Sequence, residues 1–370
     1  MKKTVSFILI GAISGILFYS CDFPYQPRRF ELPAIPSPFI STDSIKAFIG
    51  TSMVKIAYTL NEDSRWIYYI DFSKAPPTPL RLKKPRGKEA INGDSPIISP
   101  GNGSFVTYYL TQGADIQGAY MQRLDASAEP ILIAEQGTEP HWWVDSMGKT
   151  YIIYSNQLIS SSLAAGHYFT FKQEVSLDGN GSLIGSADTI APYPMNGGLS
   201  SDGRFLCTGY TEAAFYDVSE DNLIKVNEGV QVCNPSINPD TLHPDQMMFL
   251  NFYGVQNFTD NPFTQLPDYP ADDDGIIPLH AVCFIADAAN SVRDFIPISL
   301  AGGSYREWQD PEWSNNPDFA IALAIIDEGN ADAVVIRNIG DGNRQKDILK
   351  ITPGKFKLNY NSTPSLWIGK

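Results

Sequence analysis

Ser95, Glu139, Gly197, Asn234, Asp310 and Thr363 each stand one residue before the anchor of a recurring strand-like stretch, and five of the six anchors are proline. If those stretches are equivalent units set around an axis, the six positions meet at one end of a central channel. Glu139 and Asp310 would make that mouth acidic, suited to a cation or to the basic end of a peptide. The neighbouring Trp142, Trp308 and Trp313 would add flat aromatic surface for stacking on a sugar or capping a peptide. Tryptophans at such a repeat position also pack between units. Two carboxylates at a suitable separation can hydrolyse a glycosidic bond, but sequence spacing does not set that separation. The candidate ligand-binding set is therefore Ser95, Glu139, His141, Trp142, Asn234, Asp310 and Trp313, with no residue assigned a catalytic role.

Other signatures of catalysis are missing from the sequence. It holds no Gly-x-Ser-x-Gly elbow, no His-Glu-x-x-His and no Cys-x-x-Cys. The run Gly179-Asn180-Gly181-Ser182-Leu183-Ile184-Gly185 misses dinucleotide spacing by one residue and leads into no helix. In Asp272-Asp273-Asp274-Gly275, counting back from the glycine puts Pro270 at the first ligand position of a calcium loop, and no Glu closes it. A solvated acidic turn is expected there. His141, His167, His243 and His280 are scattered along the chain without ligand spacing. No cofactor and no metal are expected, and the chain is read as a non-enzyme. After Cys21 only Cys207, Cys233 and Cys283 remain, an odd number lying in apolar runs, and small buried thiols are expected.

The elements that must position these residues are short strands. Pro96-Ile97-Ile98, a turn over Ser99–Ser104, and Phe105-Val106-Thr107-Tyr108-Tyr109-Leu110 read as a strand, a Pro/Gly turn and a longer β-branched and aromatic strand. Ala119–Leu124 and Ile131–Ala134 complete a four-stranded unit. The pattern returns from Pro140, Gly198, Pro235, Pro311 and, as a lone first strand, Pro364. A unit near forty residues, stretched by loops, is what the blades of a β-propeller give. Val54–Leu60, Trp66–Asp71 and Leu80–Leu82 supply three strands, and Pro364–Ile368 supplies the fourth from the other chain end. Six blades closed from both ends are expected. A seventh blade opening at Pro38-Phe39-Ile40, or an open sandwich, is the alternative. Gln256–Pro278 reads as an excursion from blade five, and His167–Ile190 as a flexible enlargement of blade three.

Pro311-Glu312-Trp313-Ser314 and Ser201-Asp202-Gly203 resemble the TolB-like, or WD40-like, propeller repeat, whose consensus runs Pro-x-Trp-Ser-Pro-Asp-Gly before an apolar strand. No single copy is complete. The resemblance covers residues 45–368, implies an all-β six-bladed propeller, and brings no catalytic residues with it. A looser resemblance, from the signal described next and the segment Pro311–Phe319, is to large paralogous lipoproteins of Fibrobacter, which have no assigned role and are usually longer.

Lys2-Lys3, an uncharged apolar run from Val5 to Leu17, and Ser20-Cys21 have the layout of a secretory signal. The run is short for a bilayer span. It resembles the lipobox of bacterial lipoproteins, with Cys21 as the acylated residue. Phe18 replaces the usual Leu of that box. Residues 22–40 carry Pro24, Pro27, Pro33, Pro36 and Pro38, which favour extended chain and suit a spacer. The expected organisation is a signal over 1–20, lipidated Cys21 with a tether over 21–44, and a propeller over 45–370. Loss of Lys2 and Lys3 with the signal takes the formal charge from −14 to −16, which argues against nucleic acid as a partner. The sequence thus points to a lipid-anchored protein of the bacterial cell envelope, with the outer membrane preferred over the inner. An envelope protein or glycan is the expected partner, and an enzyme acting on polysaccharide or peptide is the alternative.

Overall fold

Strand formation follows the apolar runs. The computed structural model describes residues 39–370 except 62–64, 89–90, 114, 157–165, 210–211, 328–329, 343, 353–357 and 359–362. The signal, Cys21 and the tether up to residue 38 lie outside the described residues. An eight-residue helix, α1 (Thr42–Ile49), precedes the sheets. Blade one then begins with β1 (Val54–Asn61), β2 (Arg65–Asp71) and β3 (Leu80–Arg81), and blade two is β4 (Asn92–Ile98), β5 (Phe105–Gln112), β6 (Asp115–Arg123) and β7 (Ile131–Ala134). Blade three is β8 (Thr138–Val144), β9 (Thr150–Ser155), β10 (Thr170–Ser176) and β11 (Ser182–Ala191). Blade four holds β12 (Phe205–Thr208), β13 (Ala213–Asp217) and β14 (Asn222–Val226), with its inner strand reduced to a bridge from Leu199 to Leu206. Blade five is β15 (Val232–Ile237), β16 (Gln246–Asn251), β17 (Val282–Asp287) and β18 (Val292–Pro297). Blade six is β19 (Glu307–Trp313), β20 (Phe319–Asp327), β21 (Asn330–Arg337) and β22 (Asp347–Lys350), and β23 (Ser365–Ile368) follows.

Every sheet is an antiparallel meander, and β23 pairs with β1 as the inner strand of blade one. Ala57 faces Ser365 and Val54 faces Ile368 in that register. This is the closure expected from the sequence, and it removes two open edges. The chain is a six-bladed β-propeller. Middle strands such as β5 are buried on both faces because a blade lies on either side, so their sequence is mostly apolar rather than strictly alternating. Ile56, Tyr58 and Leu366 of blade one share one core with Val106 and Tyr108 of blade two and with Ile321 and Leu323 of blade six.

A second clamp crosses the same seam. The Ser41 hydroxyl accepts the N–H of Ser44 (3.2 Å) and caps α1, which Gly50 ends at φ 93°. Ile45 is fully buried, Thr42 Oγ1 donates to the Phe72 carbonyl of blade one, and Arg337 of blade six donates to the Phe48 carbonyl (3.0 Å). Phe39 packs on Tyr58 and Phe72. The stretch that could have opened a seventh blade instead feeds this helix.

Inter-blade contact explains the Asp-Gly and Asn-Gly turns. A Cβ on Gly203 (φ +77°) would lie 2.8 Å from Trp143 of the preceding blade, whose indole N–H donates to the Ser200 carbonyl (2.8 Å). A Cβ on Gly103 (φ +59°) would lie 2.5 Å from Trp367. Each glycine supplies both the left-handed turn and the room for a neighbour's indole.

Two loop expectations part ways. The segment between β16 and β17 is an insertion, as expected. Its Phe258, Phe263 and Tyr269 pack at tilted angles against Phe249, Phe284 and Phe295, while the Val292 N–H donates to the Asp260 carbonyl, covering the free edge where β18 begins. His167–Ile190, in contrast, is not a flexible enlargement. It forms the hairpin β10–β11, whose register shifts between Thr170 and Phe171 and again between Lys172 and Glu174, where a bulge accommodates Gly185. Cys207 and Cys283 are the free buried thiols expected, whereas Cys233, also buried, is not a free thiol, which corrects the expectation for that residue. No helix among the described residues is long and apolar enough to cross a membrane.

Candidate functional site

Four of the residues before the anchors share one unusual backbone. Ser95 (φ 44°), Glu139 (44°), Asn234 (51°) and Asp310 (47°) are left-handed. At each of them the inner strand slips register against its neighbour, between Asp94 and Ile97, Thr138 and His141, Cys233 and Ser236, and Gln309 and Glu312. These are β-bulges, which re-aim a side chain out of the sheet. The proline that follows disfavours right-handed helix in the residue before it and has no N–H to leave unpaired in the bulge. Asn234 and Asp310 tolerate the left-handed region, whereas Ser95 and Glu139 hold it at a cost of about 1 kcal/mol or more each.

Aimed inward, the side chains meet across blades. The Asn234 amide donates to the Asp310 carboxylate. Ser95 and Tyr109 of blade two hydrogen-bond the Glu139 carboxyl. Ser236 Oγ donates to Glu312 Oε1 (3.0 Å) and accepts the Trp313 N–H (3.1 Å). His141 Nε2 lies 3.8 Å from Glu312 Oε1. His141 belongs to blade three and Glu312 to blade six, diametrically opposite blades, so this contact closes the axis. Ser95, Glu139, Asn234, Asp310, His141 and Glu312 thus form one axial cluster, termed the cup below.

The cup's electrostatics follow from depth. Burial pushes the Glu139 carboxyl up to about 7, with the Ser95 and Tyr109 hydrogen bonds opposing and Asp94 and Asp310 assisting. Burial likewise pushes Glu312 up to about 8, offset by Ser236 and reinforced by Glu139 and Asp310. Among the described residues no cation acts on either. Burial holds His141 below the ordinary imidazole value, and its Nδ1 sits 3.0 Å from the Glu139 carbonyl. Glu312 and His141 keep 17% and 11% of their side-chain surface; they lie deep, yet touch the axial space. Asp94, one residue before Ser95, is buried and paired with Arg65 of blade one.

The remaining expected members are elsewhere. Blade four presents no side chain, because a Cβ on Gly197 would lie 2.4 Å from Cys207 Sγ. In blade one Ser365, rather than Thr363, reaches a neighbour, accepting the Ile98 N–H (3.1 Å). Trp142, Trp308 and Trp313 do not offer an aromatic lining. Their indoles donate to the carbonyls of Ile97, Ile296 and Pro317, and the rings of Trp308 and Trp313 are buried in packing. Sequence reasoning missed Glu312 and Ser236. The signal was present, since both directly follow an anchor proline, as His141 does.

Other candidate chemistry resolves into structure. Asp272 Oδ1 accepts the N–H groups of Asp274 (3.0 Å) and Ile276 (2.8 Å), closing its own turn. Among the described residues no group of three or more His, Cys, Asp or Glu side chains is arranged to hold a metal ion. A separate open cleft of about 850 Å³ lies between the blade-five insertion and blade six, bordered by Phe263, Arg293 and Gly342. Its guanidinium, that of Arg293, is already paired with Asp287.

No protein-family model and no curated protein matches the chain. Among solved structures it is similar to TolB from Acinetobacter baumannii, at 11% identity over 87% of this chain and 69% of that one, with a TM-score of 0.49. It is also similar to a candidate TolB from Agrobacterium tumefaciens (13%, 86% and 98%, TM-score 0.39) and to prolyl oligopeptidase B from Galerina marginata (10%, 82% and 41%, TM-score 0.40). Likenesses this distant carry no functional argument, and the six-bladed fold rests on the sheets themselves.

Proposed function

We propose that this chain is a binding module of the bacterial cell envelope, anchored through lipid on Cys21, whose axial cup receives a cationic group of a protein partner. One observation carries the proposal: carboxyls from opposite blades converge in the cup, and among the described residues the groups acting on Glu139 and Glu312 include no cation. An ammonium or guanidinium group would relieve that crowding at little cost in rearrangement. A glycan is the weaker partner because the indoles that would stack on sugar are spent on packing. Hydrolysis by Glu139 and Asp310 is the alternative reading; it would require the Glu139 carboxyl to leave its hydrogen bonds with Ser95 and Tyr109 of blade two.

The test is crosslinked capture from the native envelope with the lipidated protein, beside Cys21→Ala and Asp310→Asn. Asn keeps the left-handed backbone and removes the charge. Capture of a defined protein by the native form, weakened by salt and by Asp310→Asn, is expected. Capture indifferent to both would remove the cup from the account, and turnover of a peptide or polysaccharide lost on Glu139→Gln would replace binding with catalysis.

A further inference from the structure

The contact that closes the axis joins the two blades farthest apart in the ring. We propose that His141 and Glu312 form a proton-operated plug, shut while the axial carboxyls are protonated and opened when they ionise. As regulation of the same cup, its use to the protein rests on the binding function above, but its test does not.

In the shut state the His141 Nδ1–H donates to the Glu139 carbonyl (3.0 Å), which leaves Nε2 bare and facing Glu312 at 3.8 Å. At 3.8 Å, beyond hydrogen-bond reach, a protonated Glu312 carboxyl faces that nitrogen without repelling it. Ionisation sends the proton to solvent and leaves a carboxylate opposite a lone pair. The groups around it do not compensate. Asp310 stands on the same strand, Glu139 approaches from β8, and the Cys207 thiol on β12 is buried near Glu312. Ser236 from β15 gives one hydrogen bond. Around Glu139 stand Ser95, Tyr109, Asp94 and Asp310, with Arg65 already committed to Asp94. The carboxylates therefore repel one another across the axis, and separation of the inner strands of blades three and six would relieve that repulsion. Burial places the protonation of both glutamates near neutrality rather than in the usual carboxylate range, so the plug would work within an attainable pH interval.

Amide hydrogen exchange of the full chain, corrected for the intrinsic pH dependence, tests this at about pH 6 and about pH 9. The expected result is a rise of about tenfold in β8 and β19, little change in β6, and no rise in Glu312→Gln, whose amide imitates the protonated acid. The Gln variant should melt with the wild type at about pH 6, and Glu139→Gln serves if it does not fold. A flat wild-type profile, an equal rise in Glu312→Gln, or a rise spread over all six blades would overturn the plug. Partner capture without an exchange response would remove the plug and keep the binding function; the reverse would keep the plug alone.

Discussion

Glu139 and Glu312 make the stability of the fold depend on pH in a defined direction. Both carboxyls titrate higher in the folded chain, near 7 and 8, than in an unfolded one. The stability they lend is complete below the unfolded value and is lost as pH rises through the folded values. His280 works oppositely. Burial lowers it to about 4, so its contribution is present above the ordinary imidazole value and is lost as pH falls toward 4. The melting temperature should therefore peak at about pH 4–5, where the gain from His280 and the loss from the two glutamates cancel, and Glu312→Gln should flatten the fall above that pH, a difference of a few kcal/mol at most. A melt series that falls equally in wild type and variant would place the alkaline loss elsewhere. Glycine 203 gives a second prediction. Gly203→Ala adds a Cβ against Trp143 and strains a positive φ, so a loss of about 1–3 kcal/mol in denaturant unfolding is expected. The cup itself was half legible. A residue before proline marks a backbone irregularity, but no sequence rule says that the irregularity is a left-handed bulge turning the side chain to an axis. Glu312 escaped because its importance comes from a partner on the opposite blade.

β23 and α1 hold the seam between blades one and six from both chain ends. Trp367 on β23 is 3% exposed, with Gly103 beneath it, so Trp367→Ala should cost about 3–5 kcal/mol. Removing the whole strand should abolish cooperative unfolding rather than lower its midpoint. Ile45 carries the equivalent load on α1, and Ile45→Asp should loosen the same seam, visible as faster exchange in β1 and β22 before global unfolding. The strands, their order and the two-ended closure were readable because a blade's middle strands must be apolar on both faces and its turns need Gly, Asn or Asp. The hairpin β10–β11 was not. Its three glycines looked like flexible chain, whereas two of them make the turn and the third occupies a bulge. The tryptophans misled for a related reason. A large ring near an axis reads as lining, but six blades meeting at a narrow angle need indoles between them.

Across the whole ring, net charge and axial charge act together. The protein carries −14 overall, and its most crowded carboxyls gather at the axis. A basic partner would be drawn toward the molecule over a distance set by salt and held only at the cup. Association with the captured partner should consequently slow with rising ionic strength, while Asp310→Asn should chiefly speed its release. Equal effects of that variant on both rates would argue for a diffuse acidic surface instead.

The pairing of β1 with β23 also has a consequence in time. Its partners are separated by nearly the whole described chain, so forming it requires closing the longest loop in the molecule. Five blades can assemble from local hairpins while β1 still waits with a bare edge. Completion of the ring should be the slowest step of refolding. Until that step finishes, the first blade is the place where a second unfinished copy would pair by mistake.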